Sequence, residues 1–378
     1  MANTFITPLV VAKLAIPALL KNWVFAGLVH RDYSKEFRKV GNSVRIRKPA
    51  TFTAIEFDGD LEGQWQTIQE TFVDVLMDKV LTVPIEFTQV EQSLDIVNFN
   101  LQVVEPAMQA LAQKVDENLA KLYKDIPYYQ DATETATAIA DLLNARKIQN
   151  DLKVPFDKPR YAVMSPLTTA SLLALDQFRD LDKTGTTKAL REASLGKIFG
   201  YEFFENQNIQ THVTDASIDT DPAGVAASSA AGVKTMVVSE LGEDGTIHKG
   251  SIFTIAGDDQ KYVVTADAAI SGAAATINFS PALVVATPLG SEVVTFKETV
   301  TTSKENLMFH KNAFSLVTAP MAPPIGGATG ATITYKGLAI NVVYSYQHGK
   351  FQNRMTCSIL CGFKTLTPEL AIRLYDAS

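Results

Sequence analysis

Residues 43–87 have the sequence SVRIRKPATFTAIEFDGDLEGQWQTIQETFVDVLMDKVLTVPIEF, which predicts a long β-hairpin. Val44 and Ile46 alternate with two arginines, the period of two expected of a strand with one buried face. Asp58-Gly59 is a strong turn signal, and a return arm with strand character follows it. The hairpin is too long to be buried evenly against its own domain. We therefore expect part of it to lie on another copy of the chain.

Downstream of the hairpin, a single apolar stripe predicts a long helix over about residues 98–126. Its members recur at spacings of three and four: Leu101, Val104, Met108, Leu111, Val115, Leu119 and Leu122. Pro106 falls inside the stripe, so the helix either kinks there or begins close to it. A helix over about 133–152, a strand at 161–164 and a helix opened by Ser165-Pro166 come next. This order predicts an α+β core.

Around residue 212 the composition changes. Residues 211–233 are rich in Ala, Ser, Thr, Gly and Asp, which predicts a linker. Short strands at regular spacing follow: Lys234–Ser239, Ser251–Ala256, Lys261–Thr265, Thr276–Phe279 and Glu292–Phe296. Mixed strands resume at Leu307, and Pro84, in the return arm of the hairpin, suits an edge strand or a strand start rather than a central strand. We therefore expect an all-β insertion, residues 212–303, within one core formed by residues 84–211 and 304–378.

Composition and motifs narrow the classes of function. The chain has 378 residues, 46% of them hydrophobic, and a net charge of −7, which argues against a dedicated DNA-binding protein. Cys357 and Cys361 share one face of a predicted strand without further zinc ligands nearby, which favours two buried thiols. The five histidines have no metal-ligand spacing, and no catalytic or phosphate-binding motif is present. We expect no catalytic residue, no cofactor, no metal and no membrane span.

The N-terminal arm and the hairpin carry charge blocks of opposite sign. Residues 21–48 hold eight basic residues against two acids, whereas residues 56–78 hold seven acids and no lysine or arginine. Blocks of this kind can set the register between neighbouring copies. The arm also carries Trp23 and Phe25, either as exposed apolar anchors or as part of a terminal helix docked on its own domain. The candidate intersubunit residues are Trp23, Arg45, Arg47, Lys48, Asp58, Gly59, Asp60 and Glu62.

Several segments, taken in order, resemble one family of proteins. They are Val104-Glu105-Pro106-Ala107 with Leu111-Ala112-Gln113-Lys114-Val115-Asp116, Arg160-Tyr161-Ala162-Val163-Met164-Ser165-Pro166 with Leu195-Gly196-Lys197-Ile198-Phe199-Gly200, Gly250-Ser251-Ile252-Phe253-Thr254-Ile255-Ala256-Gly257, and Cys361-Gly362-Phe363-Lys364-Thr365-Leu366-Thr367-Pro368-Glu369-Leu370-Ala371. The chain resembles the major capsid (coat) proteins of tailed double-stranded DNA bacteriophages, with the Hong Kong ninety-seven-like fold. Within that family it is most similar to the subgroup that carries an inserted β domain.

The resemblance implies a phage capsid fold. Its parts would be an N-terminal arm (1–42), an extended hairpin loop (43–83), a spine helix, peripheral and axial domains (84–211 and 304–378) and the inserted domain (212–303). It also implies self-assembly into pentamers and hexamers of an icosahedral shell that encloses double-stranded DNA without sequence-specific binding. A scaffolding protein, a portal, assembly in the host cytoplasm and a place in the virion capsid are implied as well.

Two alternatives stay open at the level of sequence. The first is the shell protein of a cellular nanocompartment with a similar fold, which would enclose enzymes instead of DNA. The second is an enzyme or an adhesin with an α+β core. The inserted β module argues against the first alternative, and the missing catalytic motifs argue against an enzyme.

Overall fold

The structure, a computed structural model, contains both helices and strands. It describes residues 8–31, 43–48, 52, 54–56, 65–68, 71–88, 103–131, 139–179, 191–214, 223–242, 245–288, 292–297, 302–322, 324–325, 328–335, 338–350 and 352–377. The chain forms two compact units. The first comprises residues 1–21, 31–111 and 315–366, and the second comprises residues 22–30, 112–314 and 367–378.

The elements are numbered in chain order. The helices are α1 (Pro8–Asn22), α2 (Phe25–Leu28), α3 (Glu105–Ala120, continued by a 3₁₀ turn at Lys121–Asp125), α4 (Ile139–Asp151), α5 (Pro166–Ala174) and α6 (Asp176–Arg179). The strands are β1 (Ser43–Lys48), β2 (Thr71–Leu76), β3 (Lys79–Thr88), β4 (Tyr129–Asp131), β5 (Arg160–Met164), β6 (Lys197–Ile198), β7 (Tyr201–Glu205), β8 (Thr211–Val213), β9 (Ala223–Val225), β10 (Thr235–Ser239), β11 (Gly245–Ile247), β12 (Ile252–Ile255), β13 (Lys261–Val264), β14 (Ala268–Ile270), β15 (Ala274–Ser280), β16 (Glu292–Phe296), β17 (Thr302–His310), β18 (Phe314–Ala319), β19 (Thr329–Tyr335), β20 (Leu338–Gln347), β21 (Gln352–Thr365) and β22 (Ala371–Ala377).

The first unit contains the predicted hairpin and a five-stranded sheet. Strands β1 and β2 pair antiparallel, with Val44 opposite Val75. The sheet has the order β18-β21-β20-β19, and β3 pairs with β21. Within the described residues β21 is the only partner of β3, so Pro84 lies on an edge strand, as expected. Gly362 permits close packing here, because a Cβ at that position would lie 2.4 Å from the Leu76 carbonyl oxygen.

Helix α3 begins at Glu105. Pro106 therefore stands in its first turn, where the missing N–H costs no intrahelical hydrogen bond. This resolves the alternative left open by the sequence in favour of a start close to the proline. The apolar stripe is buried from Val104 through Leu119. The part of the predicted helix before residue 103 lies outside the described residues.

A mixed sheet with the order β4-β22-β17-β5-β7-β6 forms the core of the second unit. Helices α4 and α5 pack on it through a cluster that includes Leu142, Leu172 and Ile372. The predicted cap of α5 is confirmed, because Ser165 Oγ accepts a hydrogen bond from the Thr168 N–H at 3.2 Å. This sheet draws its strands from both sides of the segment 212–303.

Within that segment, six strands form a closed barrel with the order β10-β15-β13-β12-β16-β9. All five strands predicted there are present. The predicted linker at 211–233 is wrong in part, because β8 pairs with β17 and β9 is fully buried in the barrel wall. Small residues form β9, and its neighbours leave no space for large side chains: a Cβ on Gly224 would lie 2.8 Å from Ser239 Oγ. That composition is what made the segment resemble a linker.

Candidate intersubunit surfaces

The hairpin has one buried and one exposed face. Val44, Ile46 and Val75 lie in a buried cluster with Val317 and Leu366. The side chains between them point to solvent, because successive residues of a strand face opposite sides. The alternation seen in the sequence thus assigns each residue of β1 to its correct face.

The exposed side of β1 and β2 carries a compact charged and aromatic group, the outer-face cluster, formed by Arg45, Arg47, Phe72 and Asp74. Arg45 Nε and Nη2 donate to the two carboxylate oxygens of Asp74 at 2.8 and 3.2 Å. The guanidinium carbons of Arg45 and Arg47 lie 5.6 and 5.9 Å from the centre of the Phe72 ring. The hydrogen bond from Arg45 lowers the pKa of the Asp74 carboxyl.

The outer-face cluster changes how the two charge blocks are interpreted. Arg45 belongs to the basic block and Asp74 to the acidic block, and they pair within one chain because β1 and β2 are in that register. An exposed ion pair contributes little to subunit stability. Arginine and aromatic side chains in such an arrangement are typical of protein interfaces. Sequence reasoning missed Phe72, although its place in the alternation identifies it as outward-facing.

The hairpin segment and the start of β3 also expose large apolar side chains. Trp65 is 78% exposed and Ile68 is 69% exposed. Other members of this set are Phe52, Ile55, Leu76 and Val80. Monomeric proteins rarely expose so many large apolar groups on one segment, and such surfaces mark interaction sites.

Of the two alternatives for the arm, exposure of Trp23 and Phe25 as anchors is wrong, because both side chains are buried within the chain. Trp23 is 8% exposed and Phe25 is 1% exposed. The Asp116 carboxylate accepts hydrogen bonds from the backbone N–H groups of Val24 and Ala26, at 3.0 and 3.1 Å, and fixes this segment. Burial raises the pKa of the Asp116 carboxyl. The local sequence around Trp23 contains no signal for this contact, because Asp116 is distant in sequence.

The structure does not bring all candidate residues together. Arg45, Arg47 and Lys48 lie on β1, whereas Trp23 is buried in the second unit. Asp58, Gly59, Asp60 and Glu62 lie outside the described residues.

A buried polar network within the second unit was not foreseen. Arg373, fully buried on β22, donates from Nη1 to the Gly250 carbonyl at 2.9 Å and lies 3.9 Å from Glu305 Oε2. Ser303 Oγ donates to the other oxygen of Glu305 at 2.9 Å. Burial raises the pKa of Glu305 to about 7, although Arg373 opposes the shift. The network joins the barrel, through Gly250, to β17 and β22.

Tyr123 and His212 extend this network. The Tyr123 hydroxyl and His212 Nδ1 lie 3.0 Å apart, and the Arg373 guanidinium carbon lies 5.2 Å from the Tyr123 ring centre. Burial lowers the pKa of His212 to about 3. His212 is therefore a neutral histidine of the core.

The remaining expectations concern the two cysteines, metal binding and membrane-spanning helices. Cys357 and Cys361 are buried free thiols on β21, as predicted. Within the described ranges, no group of three or more His, Cys, Asp or Glu side chains could hold a metal ion. No helix in the described part of the chain is long and apolar enough to cross a membrane.

Comparison with solved structures identifies the fold. The chain is 15% identical to a structure from Mycobacterium phage Che8, with a TM-score of 0.51, covering 93% of this chain and 90% of that chain. It is also similar to the capsid of Ralstonia phage GP4 (11% identity, 93% and 87% coverage, TM-score 0.49) and to the head structure of Helicobacter pylori bacteriophage KHP40 (10%, 94% and 92%, 0.47). No family model and no curated protein matches the sequence.

These identities are low, so the likeness concerns the fold. The inserted-domain subgroup stays a prediction, as do the boundaries of the five predicted segments. The chain shares its mixed α and β fold with the structure from Mycobacterium phage Che8.

Proposed function

We propose that this chain is a major capsid protein, which self-assembles into the icosahedral shell around the double-stranded DNA genome of a tailed phage. The observation that carries the proposal is the fold similarity to the Che8 structure along 93% of the chain. The role is structural, with no bond chemistry. Its place is the virion capsid, after assembly in the host cytoplasm.

The exposed face of the hairpin supports assembly. Trp65 and Ile68 place apolar surface in water, which is unfavourable for a lone subunit and favourable once a neighbour covers it. Burial of this kind on each of many neighbours would hold pentamers and hexamers together. A scaffolding protein and a portal are the further partners in this proposal, and the DNA is enclosed without sequence-specific contacts.

Negative-stain microscopy of the expressed protein tests the proposal. We expect closed shells with icosahedral outlines, and nuclease-protected DNA in particles recovered from infected cells. The nanocompartment alternative predicts shells that contain a cargo protein and no protected DNA. A monomer by light scattering that binds a sugar or a metabolite saturably would favour the enzyme or adhesin and contradict a shell protein.

We further propose that the acidic hairpin tip contacts a basic surface of the adjacent subunit. Arg45 already pairs with Asp74 within its own chain, so we assign the contact to Lys48, the basic residue at the end of β1. Charge complementarity sets register and excludes wrong pairings, even where each pair contributes little energy. Because the contact repeats at every interface, a small effect is multiplied across the shell.

Reversing Asp58, Asp60 and Glu62 to lysine tests this docking. We expect folded subunits that fail to form shells or form misshapen ones. The matched control reverses the exposed acids Glu192, Glu205 and Asp259, which changes the net charge equally. Normal shells from the tip variant would sink the docking proposal, and loss of shells in both variants would attribute the effect to net charge alone.

A further inference from the structure

A cavity of about 350 Å³ lies in the second unit, at one end of β5. Its lining combines cationic and aromatic side chains from three separate segments. The lining includes Arg146, Phe156, Lys158, Arg160, Lys197 and Tyr201. Cavities of this size accommodate small ligands, particularly when a few polar groups converge on an apolar floor.

Arg160 and Phe156 form a fixed stacking surface in this cavity. Arg160 is only 4% exposed, and its guanidinium donates to Asn150 Oδ1 at 2.9 Å and to the Val154 carbonyl at 2.6 Å. The guanidinium carbon lies 4.0 Å from the centre of the Phe156 ring. Phe156 is nevertheless 72% exposed, so most of the ring is open to a ligand. An exposed phenylalanine held by a buried arginine is a suitable platform for a flat aromatic ring.

The turn between β6 and β7 fixes another side of the cavity. Ile198 and Tyr201 pair across it, and the two residues between them, Phe199 and Gly200, have φ values of +52° and +84°. Two positive φ values in a two-residue loop are the signature of a type I′ turn, which is rigid and matches the twist of the strands. The turn thereby holds Lys197 at the cavity.

The charge of the cavity is strongly unbalanced. Arg146, Lys158, Arg160 and Lys197 line it against a single acid, Asp157, which leaves an excess of three positive charges. Asp157 lies 3.2 Å from His310 Nε2, and Lys158 donates to the neutral Asn312 Oδ1 at 3.2 Å. In the part of the chain that the structure describes, none of the four cations forms an ion pair. A protein of net charge −7 has thus concentrated unpaired positive charge beside an open aromatic ring.

We propose that this cavity binds a nucleotide, with the base stacked on Phe156 and the phosphate held by Lys158 and Lys197. Stacking on an aromatic ring next to a cationic groove is how proteins hold unpaired nucleotides without reading their sequence. The same chemistry is offered by a free nucleoside monophosphate and by an unpaired nucleotide of a strand. Duplex DNA hides its bases within the stack and offers the phosphate alone.

Fluorescence anisotropy of the full chain with a labelled short oligothymidylate measures this binding. We expect saturable binding that thymidine monophosphate competes away if free nucleotide is a source, and that only unlabelled strand competes away if the strand is required. Phe156→Ala should weaken binding about tenfold. Lys158→Glu with Lys197→Glu should weaken it at least tenfold and flatten its salt dependence. Lys350→Glu with Lys364→Glu is the control, equal in charge change, and should leave binding unchanged.

Three results would overturn the proposal. They are equal competition by inorganic phosphate and by thymidine monophosphate, equally tight binding of an acidic peptide, and binding that the cavity variants leave unchanged. Phe156 and both lysines are exposed, so the variants should fold, which circular dichroism verifies; Phe156→Leu is the milder replacement. Shell formation by the same variants is scored separately by microscopy, so a failed binding test leaves the shell proposal standing.

Discussion

The barrel and the hairpin differ in how they bury their apolar side chains. In the barrel, six strands close on themselves. Four aromatic rings fill the interior: the ring centres of Tyr262, Phe279 and Phe296 lie 5.4–5.6 Å from the ring centre of Phe253. In the hairpin, two strands bury one face and leave the other face in water. Closure removes free strand edges and completes a core, whereas an open hairpin does neither.

This difference separates the residues that stabilise the folded subunit from the residues that we expect to mediate assembly. Mutations in the barrel should act on the folding of the subunit, because its side chains already have all their neighbours. Mutations on the exposed face of the hairpin should spare the subunit and act on the shell. Fragments and single variants of each region distinguish effects on subunit stability from effects on shell formation.

The isolated fragment of residues 212–303 should fold by itself, because the two ends of the segment meet. Val213 and Thr302 are register partners in the β8–β17 pair, so the chain enters and leaves the barrel at one place. The amide proton spectrum should be well dispersed. The hairpin fragment 43–88 is the comparison, and it should give a random-coil spectrum. A collapsed spectrum for the barrel fragment would mean that its strands need the rest of the second unit.

Phe253→Ala should destabilise the subunit by about 3–5 kcal/mol, because the variant loses a fully buried ring and leaves a cavity. Denaturant unfolding of the full chain, followed by tryptophan and far-ultraviolet signals, measures the loss. Phe52→Ala on the hairpin is the matched control and should change the free energy of unfolding by less than about 0.5 kcal/mol. Equal losses for both variants would contradict the contrast between the two regions.

Glu305 should make subunit stability depend on pH. Its pKa is raised to about 7 in the folded chain, so the folded state binds the proton more tightly than the unfolded state does. The stabilisation is fully present below about pH 4.5 and is lost as the pH rises through 7, a total of about 3 kcal/mol. Unfolding midpoints measured across this range should fall with pH.

Glu305→Gln should remove most of that slope, since the amide keeps the shape of the side chain and does not titrate. An unchanged slope in the variant would assign the pH dependence to other groups. Because this network links Gly250 to Arg373 and Glu305, the result also measures how much the stability of the barrel depends on residues outside the segment 212–303.

Trp65→Ser should have the smallest effect on the subunit, within about 0.5 kcal/mol, because the indole is already 78% exposed. Shell yield should nevertheless fall steeply, since interface tryptophans commonly contribute about 2 kcal/mol or more per contact. Sedimentation of assembly reactions measures the yield. Ile325→Ser, at another exposed apolar side chain, is the control and should assemble normally. A normal yield from the Trp65 variant would remove the hairpin from the interface.

Periodicity explains what could be predicted from the sequence. The alternation of Val44 and Ile46 with arginines assigned the buried face of β1, and the stripe from Val104 to Leu119 assigned the buried face of α3. The five longer barrel strands were found because turn signals separate them. These patterns are local, so one segment is enough to detect them.

What the sequence did not reveal depends on distant residues. Strand β9 has only three residues with small side chains, so its sequence shows no strand periodicity. It is a strand because it pairs with β10 and β16. Trp23 was expected outside because the residue that holds its segment, Asp116 on α3, lies about 90 positions away in sequence. The cavity at Phe156 joins residues from three segments, and a local pattern does not show that Arg146 and Lys197 line the same cavity as Phe156.

The two cysteines on β21 have a consequence for redox chemistry. Burial raises the pKa of Cys357 to about 11 and of Cys361 to about 12, so both remain thiols rather than reactive thiolates at neutral pH. Four residues apart on one strand, their Cα atoms are separated by about 13 Å, too far for a disulfide. Subunits can therefore pass from a reducing to an oxidising environment without forming a crosslink. The thiols will react with an alkylating reagent only when β3 separates from β21, so their labelling rate reports how often that edge of the sheet opens.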